Sequence, residues 1–192
     1  MSSSKLLAIT SILCGVCFLV AGVFGFGNYI VKQTMFWDTY GYVSRISMFA
    51  LLCLSLVLIV KAWITRKTSK YLAVVLVVTS IVLIVNALFA LTFPLRGRDF
   101  WVKNSFETLQ DGIAFMQLSF VSYACLGLTQ IFMGNTIFKN QKRVKRLLTI
   151  SGVLFMVGIL PIYILPWVEL TNQILLILYL VGQIVSAFAF YK

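Results

Sequence analysis

The chain has 192 residues, of which 61% are hydrophobic and 11% are charged, and its mean hydropathy is +1.01. An ordinary soluble domain has roughly 45–50% apolar and about 25% charged residues, so this composition excludes that class. The apolar residues come in blocks of about 20, each long enough to cross roughly 30 Å of hydrocarbon, and they do not alternate as barrel strands do. The sequence therefore predicts an all-α polytopic membrane bundle that forms one domain over residues 1–192.

The net charge is +11, from 16 lysines and arginines against 5 acids, and the chain has no histidine. On a soluble protein this charge would favour nucleic acid as a partner, but here it is better explained by membrane topology. The missing histidine removes the commonest metal ligand and the commonest general base at neutral pH. We therefore expect membrane lipids as partners, no nucleic acid, and neither cofactor nor metal.

Six spans are predicted, with short polar or basic segments between them. The first apolar run is about twice as long as a signal-peptide core and has no clear cleavage site after it, so we expect it to be retained. The third span ends before Pro94, which cannot continue a helix for long. The spans cover about residues 6–30, 41–64, 71–93, 105–138, 147–165 and 172–190.

The charges predict the orientation, with both termini in the cytoplasm. The segments that would then lie inside carry cations and no acid, whereas those outside carry both signs in equal number, as the positive-inside rule requires. The inside cations are Lys5, Lys61, Arg66, Lys67, Lys70, Lys139, Lys142, Arg143, Lys145, Arg146 and Lys192. The outside charges are Lys32, Arg45, Arg96, Arg98 and Lys103 against Asp38, Asp99, Glu107, Asp111 and Glu169.

The fourth span carries small and polar residues along one face. Asn104 and Glu107 fit a helix cap with a capping-box partner. Small and polar residues on one face of a transmembrane helix normally face other helices, and Gly127 and Gly134 permit close approach. The residues of this face are Glu107, Asp111, Ala114, Leu118, Ser122, Cys125, Thr129 and Thr136.

Charged residues at the outer end of this face form the candidate ligand site. Glu107 and Asp111 are one helical turn apart and repel each other unless a cation is near. Arg45 is the first candidate partner, and Arg96 and Arg98 are the next. A charge close to lipid is costly and often functional. The sequence therefore predicts either a polar outer vestibule that binds a ligand or a structural ion pair there.

The remaining intramembrane polar residues are interpreted as packing contacts between helices. They are Asn86, Gln117, Gln130, Asn135 and Gln183. Cys14 and Cys17 form a CxxC pair within the first span, where a thiolate is poorly solvated, so we read them as small apolar residues. With Cys53 and Cys125 at similar depth, a soft-metal path is the alternative.

Several features together resemble the small six-span prokaryotic integral membrane proteins that are grouped as a family of unknown function. They are Phe93-Pro94 at the end of the third span, a polar outer loop, Thr108 with Asp111-Gly112 opening the fourth span, and a basic turn before the fifth. Members often have a histidine near the start of the fourth span, and this chain has none. The resemblance implies a helical membrane fold and a bacterial plasma membrane, and no mechanism.

The chain has no phosphate-binding loop, no GxSxG or HExxH motif, and no acidic pair in the middle of a span. We therefore expect a non-enzymatic small-solute binding or transport component, or a subunit of a membrane complex, and a small solute or another membrane protein as partner. The first alternative is a membrane enzyme, acting on a lipid-linked substrate at the outer face or as a thiol oxidoreductase. The second is an interaction or immunity-type membrane protein without a ligand.

Overall fold

A computed structural model describes residues 3–34, 37–92, 105–157 and 168–191, and side chains at 3–24, 45–89, 118, 120–157, 174 and 176–191. The described residues form six α-helices joined by two described turns, which confirms the predicted all-helical class. The helices are α1 (Ser3–Thr34), α2 (Trp37–Thr65), α3 (Lys70–Thr92), α4 (Ser105–Thr136), α5 (Lys142–Val157) and α6 (Val168–Tyr191).

Three of the described helices contain a segment that is long and apolar enough to cross a membrane. These segments are Ser3–Phe24, Arg45–Thr65 and Lys70–Phe89, with 22, 21 and 20 residues. A helix of about 20 apolar residues matches the hydrocarbon thickness. The protein therefore belongs to the transmembrane helical class that the composition predicts.

The six helices close into a ring in chain order. Each described helix packs against its neighbours in the chain, and α1 packs against α6. Neighbouring helices run antiparallel: in the α1–α2 pair, for example, Ser11 contacts Lys61 and Ala21 contacts Ser47. The start of α1, the turns at 66–69 and 137–141, and the end of α6 therefore share one end of the ring. We call it the basic end, because it carries Arg66, Lys67, Lys70, Lys139, Lys142, Arg143, Lys145 and Arg146.

Local sequence accounts for the two turns at this end. Ser69 caps α3, since its Oγ accepts a hydrogen bond from the Leu72 amide at 3.3 Å. Helix α5 begins at Lys142, before the predicted start of the fifth span at 147. Lysine and arginine are good helix formers when their charges are solvated, so part of the run predicted as a basic turn is the first part of a helix.

Polar side chains lie inside the ring and large apolar ones lie on its outer surface. Ser80, Ser122 and Gln130 are at most 1% exposed, whereas Phe49 and Phe188 are 67% and 70% exposed. In lipid the outer surface must be apolar, and polar groups must find partners within the protein. This distribution fits a helical bundle in a membrane.

Four aromatic side chains from four helices form the middle of the core. Phe18 lies 4.4 Å from Tyr179, 5.9 Å from Phe155 and 6.1 Å from Tyr123, measured between ring centroids. Phe155 also lies 5.9 Å from Tyr123 and 5.8 Å from Tyr179. Edge-on and tilted pairs at these separations are favourable, so this aromatic cluster joins α1, α4, α5 and α6.

Two glycines bring α4 and α5 into backbone contact. A Cβ atom at Gly127 would lie 2.8 Å from the Gly152 carbonyl oxygen, and one at Gly152 would lie 2.6 Å from the Gly127 oxygen. Only glycine permits this separation. The predicted role of Gly127 in close helix approach is confirmed, and its partner is α5.

Candidate functional site

Lys61 is the one charged side chain among the buried residues that the structure describes, and it is 1% exposed. It lies in the α2 segment Arg45–Thr65, which is long and apolar enough to span a membrane. Lys61 is one of the cations that the predicted orientation places on the inside. The structure places Lys61 near the basic end, but with its side chain enclosed by the helices of the ring.

The Lys61 ammonium joins three helices. Its Nζ donates to Ser11 Oγ of α1 at 2.9 Å and to Gln183 Oε1 of α6 at 3.3 Å. Both acceptors are neutral groups, and both residues are buried. Among the described side chains, the hydrogen-bond partners that stabilise the positive charge are therefore neutral dipoles.

The acidic residues that belong to described helices are far from this ammonium along those helices. All five lie outside the described side chains, but four belong to described helices. At 1.5 Å per residue, Asp38 is about 35 Å from Lys61 along α2, and Glu169 is about 21 Å from Gln183 along α6. Glu107 and Asp111 belong to the first turns of α4, at the end of the ring opposite the basic end.

The lysine side chain points into the ring and away from the nearest aqueous surface. Side chains on a helix lean towards its N-terminus, which for α2 is away from the basic end. A lysine near the end of a span normally extends its ammonium towards the interface. Lys61 instead reaches Ser11, which lies about 12 Å along α1 from Ser3 at 1.5 Å per residue.

Two further fully buried side chains lie one helical turn from the two acceptors of this ammonium. Cys14 is fully buried and lies one turn after Ser11 in α1. Tyr179 is fully buried one turn before Gln183, and its hydroxyl has no hydrogen-bond partner among the described residues. A buried polar group without a partner costs about 1–3 kcal/mol. We call Ser11, Cys14, Lys61, Tyr179 and Gln183 the lysine centre.

Gln130 and Ser151 form a second buried polar network, which contacts the backbone of α6 at Tyr179 and Leu178. Gln130 Nε2 donates to the Tyr179 carbonyl oxygen at 3.2 Å. The Ser151 hydroxyl lies 2.9 Å from Gln130 Oε1 and 2.7 Å from the Leu178 carbonyl oxygen. Buried side-chain networks with satisfied members rigidify a core. The α6 face of the lysine centre is therefore fixed from α4 and α5.

Asn86 and Asn135 are the other predicted polar residues whose side chains are described, and both make hydrogen bonds within the protein. Asn86 of α3 donates to Ser122 Oγ of α4 at 3.1 Å, and both residues are buried. Asn135 is exposed and bonds only to Ile131 of its own helix. The Gln117 side chain lies outside the described ones. Asn86, Gln130 and Gln183 thus make the interhelical contacts that the sequence predicts.

The predicted outer vestibule is described only in part. Arg45 is exposed and lines a shallow apolar depression with Ile46, Phe49 and Leu52 of the same helix. Glu107 and Asp111 belong to α4, but their side chains lie outside the described ones. Arg96 and Arg98 lie outside the described residues altogether. The vestibule therefore stays a prediction.

The four cysteines are free thiols. Among the described residues, no group of three or more Cys, His, Asp or Glu side chains could hold a metal ion. All four cysteine side chains belong to the described set. The soft-metal alternative therefore has no support in the geometry of these thiols.

Sequence reasoning missed the lysine centre, although one signal for it was present. Lys61 has apolar residues on both sides, and Trp63 follows it before the basic turn. A tryptophan often marks the membrane interface, so a lysine before Trp63 lies deeper than that interface. An ionisable residue at such a depth is a functional candidate by default.

No family model, no curated protein and no solved structure matches this chain. The class is therefore defined by the fold alone: an α-helical membrane protein whose interior contains a buried lysine.

Proposed function

We propose that this protein is a six-span integral membrane protein of the plasma membrane, with both termini cytoplasmic, and that it binds or transports a small solute without catalysis. The closed ring of six helices supports the span number. The clustering of cations at the basic end supports the orientation. The resemblance to small six-span bacterial membrane proteins agrees with this proposal.

The observation that carries the proposal is the burial of Lys61 among neutral partners. A buried charge is expensive, and an apolar side chain of similar volume would often stabilise the same position better. Charged residues inside membrane bundles are rare and commonly mark pathways for substrates or ions. The position of Lys61 is therefore better explained by solute binding than by packing.

A membrane thiol oxidoreductase is the second candidate. It is favoured by the position of Cys14 one turn from Ser11, which accepts a hydrogen bond from the Lys61 ammonium, because a nearby cation stabilises a thiolate. The complete burial of Cys14 opposes it, since thiol exchange needs access to a partner thiol or oxidant. Mass spectrometry of alkylated protein before and after mild oxidation tests this candidate, which requires a reversible change at Cys14 or Cys17.

Two measurements test the lead proposal. Reporter tags at the two termini should both lie in the cytoplasm, and tags on opposite faces of the membrane would contradict the topology. The purified protein should show a thermal shift or proteoliposome uptake with at least one member of a panel of anionic, cationic and uncharged solutes. A protein that responds to none of them is better described as an interaction protein or complex subunit.

A further inference from the structure

We propose that the turn between α2 and α3 binds the headgroup of an anionic phospholipid. The Arg66 guanidinium binds the lipid phosphate next to Trp63 and Tyr71, and Lys67 and Lys70 select for negative charge. We call these five residues the headgroup site. The inference is independent of solute binding, and it needs only the two membrane-spanning segments that flank the turn.

The headgroup site lies where two lipid-facing rows of side chains end. Exposed apolar side chains recur at spacings of three and four residues on both helices, which places each row on one face. They are Leu56, Val60 and Trp63 on α2, and Tyr71, Val74 and Val78 on α3. Large apolar side chains on the outside of a membrane bundle contact lipid. A lipid whose acyl chains pack on these rows therefore has its headgroup at the turn 66–69.

Arg66 lies on the same face of α2 as Trp63. The Arg66 amide donates to the Ala62 carbonyl oxygen at 3.0 Å, which continues the helical path by one residue. The guanidinium carbon lies 5.0 Å from the centroid of the Trp63 indole, where an aromatic face attracts a cation. Trp63 is 62% exposed, so the pair lies on the outer surface of the bundle.

A guanidinium held against an indole is suited to bind a phosphate. It has five N–H donors in one plane, and it stays charged at physiological pH. Two of these donors match two phosphate oxygens, and a positioned guanidinium loses less freedom when both bonds form. A lysine would provide a point charge without this fork. The pair therefore favours the phosphate that a phospholipid presents at the membrane interface.

Hydrogen bonds fix the turn that carries the site. The amides of Thr68 and Ser69 both donate to the Thr65 carbonyl oxygen at 2.9 Å. The Thr65 hydroxyl is buried and donates to the Lys61 carbonyl oxygen at 2.9 Å. Binding groups on a fixed backbone lose less conformational entropy when a ligand binds. The backbone of the headgroup site is therefore organised before a lipid binds.

The charge at the turn selects an anionic headgroup over a zwitterionic one. Arg66, Lys67 and Lys70 are exposed, and residues 60–75 contain no acid. Phosphatidylcholine carries a cation beside its phosphate, which these three charges repel, whereas phosphatidylglycerol carries none. Clusters of cations at a membrane surface attract anionic lipids in this way.

Membrane topology alone does not explain this arrangement. The positive-inside rule needs cations on one side of the membrane, but no particular contact between them and an aromatic side chain. The other basic segment of the same end, residues 139–150, contains five cations and neither tryptophan nor tyrosine. It therefore provides a matched comparison within the same protein.

The test measures phosphatidylglycerol binding to the full-length protein in non-ionic detergent by native mass spectrometry, with phosphatidylcholine of the same acyl chains as reference. Phosphatidylglycerol should bind saturably and roughly fivefold or more tightly than phosphatidylcholine. Arg66→Gln should weaken its binding roughly fivefold, and Arg66→Lys, which keeps the charge, about threefold. Arg143→Gln removes an exposed arginine of the other basic segment and should leave binding within about twofold.

Several results would overturn the headgroup site. Equal weakening by Arg143→Gln and Arg66→Gln would show a diffuse effect of charge. Unchanged binding in Arg66→Gln, equal binding of phosphatidylcholine, or equally tight binding of glycerol 3-phosphate, which has no acyl chains, would also contradict it. A change of oligomeric state in Arg66→Gln without a change in lipid binding would assign the surface to a second copy.

Trp63→Leu provides an independent reading if the Arg66 variants do not fold. It keeps an apolar side chain at the lipid surface but removes the indole, so it should weaken phosphatidylglycerol binding several-fold. Unchanged binding in this variant would contradict the role of the Trp63–Arg66 pair. None of these outcomes bears on the proposed solute binding.

Discussion

The Gln183 amide oxygen lies 3.3 Å from the Lys61 ammonium, although the two residues are 122 positions apart in the chain. The contact exists because α6 returns to pack against α1, which places Gln183 opposite Ser11 and Lys61. A charge inside the bundle is thereby solvated by groups from the first and last helices. Because the buried charge is unfavourable and its hydrogen bond is favourable, replacing Lys61 and replacing Gln183 should change the unfolding free energy in opposite directions.

Lys61→Met should make the ligand-free protein more stable. Replacing even a buried ion pair by apolar side chains of similar volume is often neutral or stabilising by about 1–4 kcal/mol, and Lys61 has no counter-ion among the described side chains to offset its desolvation. The measurement is the unfolding free energy in mixed detergent micelles, with Lys67→Met as the exposed control. A clear loss of stability in Lys61→Met alone would mean that the ammonium has a structural role instead.

Gln183→Leu should destabilise the protein, because it leaves the ammonium with Ser11 as its one remaining described acceptor. Loss of a hydrogen bond to a charged group costs about 1.5–3 kcal/mol. In the double variant with Lys61→Met this cost should largely disappear, since no charge is left to solvate. A double-mutant cycle measures the difference, and additive effects would show that the two residues are not coupled.

Gly127→Ala should destabilise the α4–α5 contact. The new Cβ would lie 2.6 Å from Met156 Cγ and 2.8 Å from the Gly152 oxygen, and overpacking of this kind costs about 1–3 kcal/mol. Gly15→Ala is the matched control, because its Cβ would meet Gln183 and Leu180 at 3.6 Å, which is an ordinary contact. Thermal unfolding of the two variants should therefore differ, and similar melting temperatures would argue against the close approach.

Ser122→Ala should cost about 0.5–1.5 kcal/mol, because the Asn86 amide of α3 loses its acceptor. Ser80→Ala is the comparison, since Ser80 is equally buried but bonds only to Leu76 of its own helix. We expect little change there. Equal losses in the two variants, measured by detergent unfolding, would show that the α3–α4 hydrogen bond contributes nothing specific.

The helical class and its membrane location could be predicted because both depend on local composition. Blocks of about 20 apolar residues predict spanning helices in any context. The small residues of the fourth span likewise predicted close packing, and Gly127 confirms it. Such predictions need only the period of the helix and the solvent around it.

The lysine centre could not be predicted in the same way, because it depends on which helices become neighbours. The position of Lys61 before Trp63 indicates its depth, but it does not decide whether the ammonium extends to the interface or turns inward. Gln183 was predicted to make an interhelical contact, and it does, but nothing local identifies Lys61 as its partner. The order of helices around the ring decides both, and that order is a property of the whole chain.

The packing of α6 against α1 also has a consequence for biogenesis. A ribosome adds roughly 5–20 residues per second, so the 122 positions between Lys61 and Gln183 correspond to a delay on the order of ten seconds. During that interval Gln183 is not yet available as an acceptor for the ammonium of Lys61. An insertase or chaperone that shields polar residues in the bilayer would therefore be useful to α2 until α6 has been made.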